Sequence, residues 1–465
     1  MQRKKYVIKK IAGDTLTPIA ILQKISGKKK FLLESSNKHN DSGRFSFIGT
    51  EPVMELIAFG EQIEIIKKNE EKMFLKGNPL DYIKEFLPKV EIDEIRSPFL
   101  SGAVGYIGYD IIRQFEDIGE DKVNEIKMPD IHLMIYEEVI IYDHMDEKVL
   151  IIGTPILKGT DITSLEHRIN IRIDEITKPT SYEEIEQFNF DGFKSEFTKD
   201  EFIKGVLIAK EHIDAGDIFQ VVLSQRMKST YTGSPLALYR KHRKHNPTPY
   251  MFYIDFDDYT VIGSSPESLV KTVDKKIITN PIAGTKKRGK NLEEDLVIQS
   301  QLEKDEKELA EHKMLVDLSR NDLGRVSEFG TVRVTKFKEV EKFRHVMHLV
   351  SEVTGELAAD KEPLDALSVS IPAGTVSGAP KIRAMEIINK LEKSRRGLYS
   401  GAVGYLSTNG NLDFALAIRT IILKDELAYI QAGAGIVYDS DPESEYEETI
   451  NKLKSFLEDY NDFTN

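Results

Sequence analysis

Cysteine is absent from all 465 residues, and so is tryptophan. The first absence excludes disulfides, thiolate metal sites and a cysteine nucleophile together. Glutamine hydrolysis ordinarily runs through such a nucleophile, so the chain is not expected to release ammonia from glutamine by itself. The second absence leaves no indole fluorophore in the protein. Long apolar runs are missing too: none approaches the ~18 residues of a membrane span. Basic residues open the chain at positions 3–5, but no apolar segment follows them, so a secretory signal is not expected and the cytoplasm is the expected location. Acidic residues outnumber basic ones, 77 to 64. The formal net charge of −13 speaks against nucleic acid as a partner.

What remains is an ordinary globular composition, 40% hydrophobic and 30% charged, long enough for one large core or two domains. Residues 1–160 mix short strand patterns, such as Phe31-Leu32-Leu33 and Val139-Ile140-Ile141-Tyr142, with turn signals. Residues 161–197 are polar and weakly patterned, which reads as a linker or surface excursion. Thr198 and Glu201 then form a capping box ahead of an apolar helical stripe. Gly216 closes that helix, and a strand starts near Ile218. From there to about residue 458, helices and strands alternate without a barrel's or a doubly wound sheet's regular repeat. The expected class is α+β, with large mixed or antiparallel sheets flanked by helices. One hexapeptide, Ser-Gly-Ala-Val-Gly-Tyr, occurs at both 101–106 and 400–405, which reads as two tightly packed, glycine-bearing strands.

Several groups of residues bear on chemistry. Glu308 and Glu311 lie three apart on one helix face, as do Glu445 and Glu448 on a helix opened by Asp441-Pro442. Each pair is either a solvated face or an oxygen-only ligand set of the kind magnesium takes. Three glycine-rich segments read as turns suited to anions: 281–285, 372–380 and 431–435. In 412–422, read as one strand, Arg419 shares a face with Ala415 and Ala417, which leaves room to grip a carboxylate bidentately. His345 and His348 lie three apart among apolar residues, but no third ligand at a familiar spacing completes a zinc site.

Taken in order, these segments resemble the chorismate-binding enzymes over residues 198–455. The resemblance rests on Gly263-Ser264-Ser265-Pro266-Glu267, 281–285, 308–312, 317–325, 345–351, 372–384, 433–436 and 439–448. It implies direct magnesium ligation by Glu311 and Glu448, with Glu308 and Glu445 holding the ion's waters. It implies carboxylate binding by Tyr399, Arg419, the amides of Gly433, Ala434 and Gly435, and Lys452, with Gly284, Thr285 and Thr375 lining the same site. Glu267 resembles the acid that meets the departing C4 hydroxyl of chorismate, and His348 the catalytic histidine beside it. Leu398 and Tyr438 depart from the family pattern without touching these groups.

Within that family, Ala283 discriminates. Aminodeoxychorismate-forming members resemble Pro-Ile-Lys-Gly-Thr here, with the lysine as nucleophile. Alanine suits members that add ammonia directly, the anthranilate synthases. Members that add water use a lysine base in a segment matched to 218–226, where Gln220 stands. Residues 32–36 and 246–253 resemble the two halves of a feedback tryptophan site, with Glu34, Ser35, Pro249, Tyr250 and Met251 as contacts. The resemblance therefore implies chorismate as substrate, a glutamine amidotransferase subunit as ammonia source and L-tryptophan as inhibitor. An aminodeoxychorismate synthase or an inactive tryptophan-sensing relative stays open as the alternative.

Overall fold

The computed structural model describes residues 6–36, 43–68, 70–90, 95, 97–179, 187–343 and 346–457; His345 lies outside them. Two large sheets dominate, of thirteen and twelve strands among the described residues, and their ladders are antiparallel. Aromatic side chains from both sheets meet between them. Phe31 packs on Tyr136 with centroids 4.8 Å apart, and Phe47 on Tyr405 at 5.6 Å. The outer face of the first sheet is covered by helices Pro18–Lys24, Ile162–Thr177, Pro235–His245 and Pro442–Leu457. That of the second is covered by Pro79–Phe86, Glu306–Gly324 and Pro363–Ser370. The layers run helix, sheet, sheet, helix, each apolar face buried once. No described helix is long and apolar enough to cross a membrane.

The sheets do not respect a boundary near residue 160. Phe31–Glu34 pairs with Tyr250–Asp255 in one sheet, and Gly102–Ile107 pairs with Ala402–Ser407 in the other. The N-terminal region is woven into both. The second of those ladders joins the two copies of the repeated hexapeptide, with Gly404 opposite Gly105. A Cβ on Gly404 would fall 2.1 Å from a backbone oxygen of Asp413, so the glycines are there for close strand packing.

Residues 161–197 also need correcting. They hold the helix Ile162–Thr177, capped by Asp161, with Leu165, Ile169 and Ile176 buried. Its polar look arises from Arg168, which pairs with Glu137 and Glu138 at 2.6 and 2.7 Å, and from Arg172, which pairs with Glu175 at 2.7 Å. Charges engaged within the fold masked a thin apolar stripe. The capping box at Thr198 and Glu201 is present as expected.

Candidate functional site

Neighbouring strands change sheets at one place, and the site is built there. The chain leaves the first sheet at Ser265, turns through Pro266 and Glu267, and joins the second at Ser268. Beside it, the chain leaves the second sheet at Leu416 and enters the first at Thr420. The segment 412–422 is thus two strands, not one, and Arg419 lies in the crossing rather than on a strand face. The two crossings are tied by Leu416 N to Glu267 O (3.0 Å) and Ser264 N to Arg419 O (3.1 Å).

Glu267 is 8% exposed. Burial pushes its carboxyl up to about 8, opposed only by the Thr375 hydroxyl, which donates to Oε1 at 2.9 Å. At neutral pH it is a protonated acid. Arg419 is open to solvent yet closely surrounded by protein, as at the floor of a cleft; desolvation lowers its pKa, and its charge adds to the burial that depresses both His348 and His242. Its backbone is left-handed, with φ 49°. Such strain in a non-glycine residue persists where the surroundings impose it, and it gathers at functional sites.

His348 lies on the strand Val346–Glu356, opposite Thr285 in the strand Ile282–Lys287. Segment 281–285 is therefore mostly strand rather than a free turn, with its irregularity at Gly284, where φ is 71°. His348 Nδ1 lies 3.1 Å from both Gly284 O and Thr285 Oγ1. A carbonyl only accepts, so Nδ1 carries the hydrogen and Nε2 is left as the basic nitrogen. Burial lowers the ring's pKa to about 4, with the Gly284 carbonyl opposing and Arg419 assisting, so the imidazole is neutral at pH 7.

Gly433 and Gly435 lie in the strand Leu427–Ile436, opposite Ser224 and Val222. Those two partners turn their amides away, to Glu392 and to Ser377. The glycines' own N–H and C=O groups consequently point to the other edge, beyond the last pairing with Thr420–Lys424 at Ile430. Lys452 donates to Gly433 O at 2.9 Å. Tyr399, 8% exposed, brings its hydroxyl within 2.9 Å of where a Gly433 Cβ would sit; burial raises that phenol to about 12. The loop 372–380 ends at the helix Lys381–Leu391 and places Thr375 against Glu267.

The four glutamates come from two helices. Glu308 and Glu311 lie on Glu306–Gly324, the first with an oxygen 3.1 Å from where a Gly284 Cβ would sit. Glu445 and Glu448 lie on Pro442–Leu457. Burial, then repulsion by Glu311, raises the Glu308 carboxyl; burial, opposed by Ser440 and joined by Glu448, raises that of Glu445. Glu445 also feels Lys307, so the helices are neighbours. Among the described residues no three acidic or histidine side chains converge as a metal group. Glu311 instead accepts from Gln220 at 3.0 Å, and Glu448 pairs with Lys452 at 2.7 Å. Glu445 Oε2 is buried without a hydrogen-bond partner.

The expected effector residues also adjoin one another. Glu34 stands opposite Met251 across the ladder, and Tyr250 opposite Ser265. Both Glu34 oxygens already accept hydrogen bonds, from Tyr239 at 2.6 Å and Arg243 at 2.6 Å.

Arg396 is a site residue that sequence reasoning missed. Fully buried, it is held by Glu392 at 2.6 Å, donates to the carbonyls of Val376 and Val222, and lies 5.5 Å from the Tyr399 ring. It fastens the Thr375 loop, Tyr399 and the strand opposite Gly433 to one another. The i,i+4 spacing from Glu392 was the only signal, and surface pairs share it.

The chain matches the model of the chorismate binding enzymes over residues 28–458. It is 45% identical to anthranilate synthase component 1 of Lactococcus lactis, over 97% of this chain and 98% of that one. With the Aquifex aeolicus protein of the same name it shares 44%, over 96% and 92%. The crystal structure of anthranilate synthase component I from Streptococcus pneumoniae superposes with a TM-score of 0.82 at 43% identity, covering 96% of this chain and 98% of that one. The menaquinone-specific isochorismate synthase from Escherichia coli shares the fold, with a TM-score of 0.73 at 21% identity over 97% and 94% of the two chains. A buried acid, a neutral histidine and a cleft arginine thus stand in a chain that belongs to the chorismate-binding enzyme family.

Proposed function

We propose that this protein converts chorismate to anthranilate, adding ammonia at C2 with loss of the C4 hydroxyl and then eliminating pyruvate. The observation that carries the reading is the near-complete, two-way match to proteins named anthranilate synthase component 1. Ala283 and Gln220 agree with it, since neither offers an amine to attack the ring or a base to activate water. Arg419, the Gly433–Gly435 edge and Lys452 hold carboxylates. Glu267 gives its proton to the departing hydroxyl, and His348 Nε2 takes the C2 proton during elimination. With no cysteine in the chain, ammonia comes from a separate amidotransferase subunit. Purified chain is expected to form fluorescent anthranilate from chorismate with an ammonium salt, and none with glutamine. Glutamine-dependent turnover by this chain alone would refute the need for a partner.

The donor set of Glu308, Glu311, Glu445 and Glu448, oxygen throughout and with one buried oxygen unpartnered, fits a hard cation. Glu311 and Glu448 would hold magnesium directly, releasing Gln220 and Lys452. Bound there, the ion would neutralise the substrate's ring carboxylate. Magnesium is expected to raise the melting temperature of the substrate-free protein, and Glu311→Gln or Glu448→Gln to abolish the rise. An equal rise in both variants would place the ion elsewhere.

Feedback control by L-tryptophan belongs to the same reading. Ser35, Pro249, Tyr250 and Met251 would contact the ligand, with Glu34 acting from its place against Arg243. Tyr250 lies opposite Ser265, two residues before Glu267, which gives an occupant of this pocket a short route to the acid. Because the protein has no tryptophan, bound L-tryptophan would be its only indole emitter. Its emission is expected to shift to the blue and gain anisotropy, and Ser35→Phe to abolish both along with inhibition. Emission that stays that of free solute at saturating protein would refute the site.

A further inference from the structure

Glu267 sits beside the crossing that carries Arg419, its carbonyl accepting from Leu416 N. It also lines a cavity of about 30 Å³, whose other walls include Thr375, Ser319, Ser370 and Asp322 but none of Gly284, His348, Tyr399, Arg419 or Lys452. That volume suits about two waters, and hydroxyl and carboxyl walls supply the polar partners an internal water requires. Asp322 is one of the walls. Its side chain is 17% exposed and accepts from Lys381 Nζ at 2.6 Å, and Lys381 also reaches Val369 O. Burial, against the pull of Lys381, raises the Asp322 carboxyl from its ordinary value.

We propose that this cavity carries the proton that recharges Glu267 after each turnover, with Asp322 and Lys381 relaying it from solvent. The inference rests on the reading of Glu267 as the acid in chorismate amination. Once Glu267 has protonated the departing hydroxyl, which leaves as water, it is a buried carboxylate with the Thr375 hydroxyl as its described hydrogen-bond donor. No charged side chain lies close enough to shift its titration, so nothing stabilises that ion for long. In the proposed reading, bound substrate or product occupies the site that Glu267 serves. A cavity water gives it a proton and is itself reprotonated through Asp322 and Lys381. The proton that ammonia sheds on joining the ring goes to solvent, so each cycle takes up one proton and releases one.

The test uses the full chain with chorismate, magnesium and ammonium, following anthranilate fluorescence from the first turnover. Ser319→Val narrows the cavity and removes a hydroxyl; Asp322→Asn breaks the relay. Glu267 starts protonated in both variants. Each is therefore expected to show a burst of about one product per chain, then steady turnover about tenfold slower than wild type, which shows no burst. The slow phase should carry a solvent deuterium effect and quicken with added imidazole buffer, responses that a merely structural defect does not give. Turnover within about twofold of wild type in both variants, without burst or response to imidazole, would overturn the route. A wild-type chain that forms no anthranilate at all would overturn the proposed function and the route with it.

Discussion

Glu267→Gln is expected to lower kcat by about 10²–10⁴, the contribution of a positioned general acid, while making the protein more stable at neutral pH. Both effects follow from burial. The unfolded chain gives up this proton near the ordinary carboxylate value of 4.5, whereas the folded chain keeps it until about 8. Between those values the folded state binds the extra proton, so the carboxyl's contribution is fully present below the lower pH and is lost as pH rises to the upper one. At pH 7 the cost is about 3 kcal/mol. Glutamine keeps an oxygen for Thr375 and carries no such cost. The melting temperature of the variant should therefore exceed that of wild type by a margin that widens from pH 5 to pH 8. Wild-type kcat/KM should fall above about pH 8 as Glu267 ionises and near pH 4 as His348 gains a proton. The upper limb should vanish in the variant. A variant that keeps wild-type kcat, or a wild-type profile flat through pH 9, would remove Glu267 from the acid's role.

Much of this arrangement was legible in the sequence because it is local. The capping box at Thr198, the Asp-Pro start of the last helix and the i,i+3 glutamate pairs each need only neighbouring residues, and each lies on the expected element. The two hexapeptides were readable as tightly packed, glycine-bearing strands, but their pairing with each other came only from the fold. What stayed hidden is non-local. Alternation ran unbroken from Leu412 to Ile422, since both sheets bury apolar residues, so nothing in the period marked the crossing at residues 417–419 where Arg419 sits. The helix Ile162–Thr177 looked polar partly because Arg168 pairs with Glu137, thirty-one positions away. Arg396, the hub of the Thr375 loop, is a cation fully buried among partners far off in sequence, and composition predicts the opposite for arginine. Glu34 illustrates the same limit. Sequence placed it beside residues 249–251, and the fold adds that Arg243 already holds its charge.

Arg419→Lys is expected to raise the KM for chorismate by about 30- to 100-fold with a smaller change in kcat, although charge is conserved. The guanidinium has no hydrogen-bond partner among the described residues, and desolvation already lowers its pKa. A cation in that position is poised for an anion, and its planar fork matches a carboxylate through two parallel hydrogen bonds. Lysine offers a single point of contact on a more flexible stem and loses about 2–3 kcal/mol of that recognition. A carboxylate remote from the bonds that change is held alike in ground and transition states, so the loss falls mainly on KM. The left-handed backbone at residue 419 disfavours lysine and arginine equally, so the fold should tolerate the change. Lysine keeps an unpaired cation at the same place, so the melting temperature should change little, which separates a binding defect from unfolding. Titration with a chorismate analogue methylated at its carboxylates supplies the control: wild type should bind it about as weakly as the variant binds chorismate. Unchanged KM in Arg419→Lys, or a methylated analogue that discriminates equally between the two proteins, would show that this arginine does not grip the substrate.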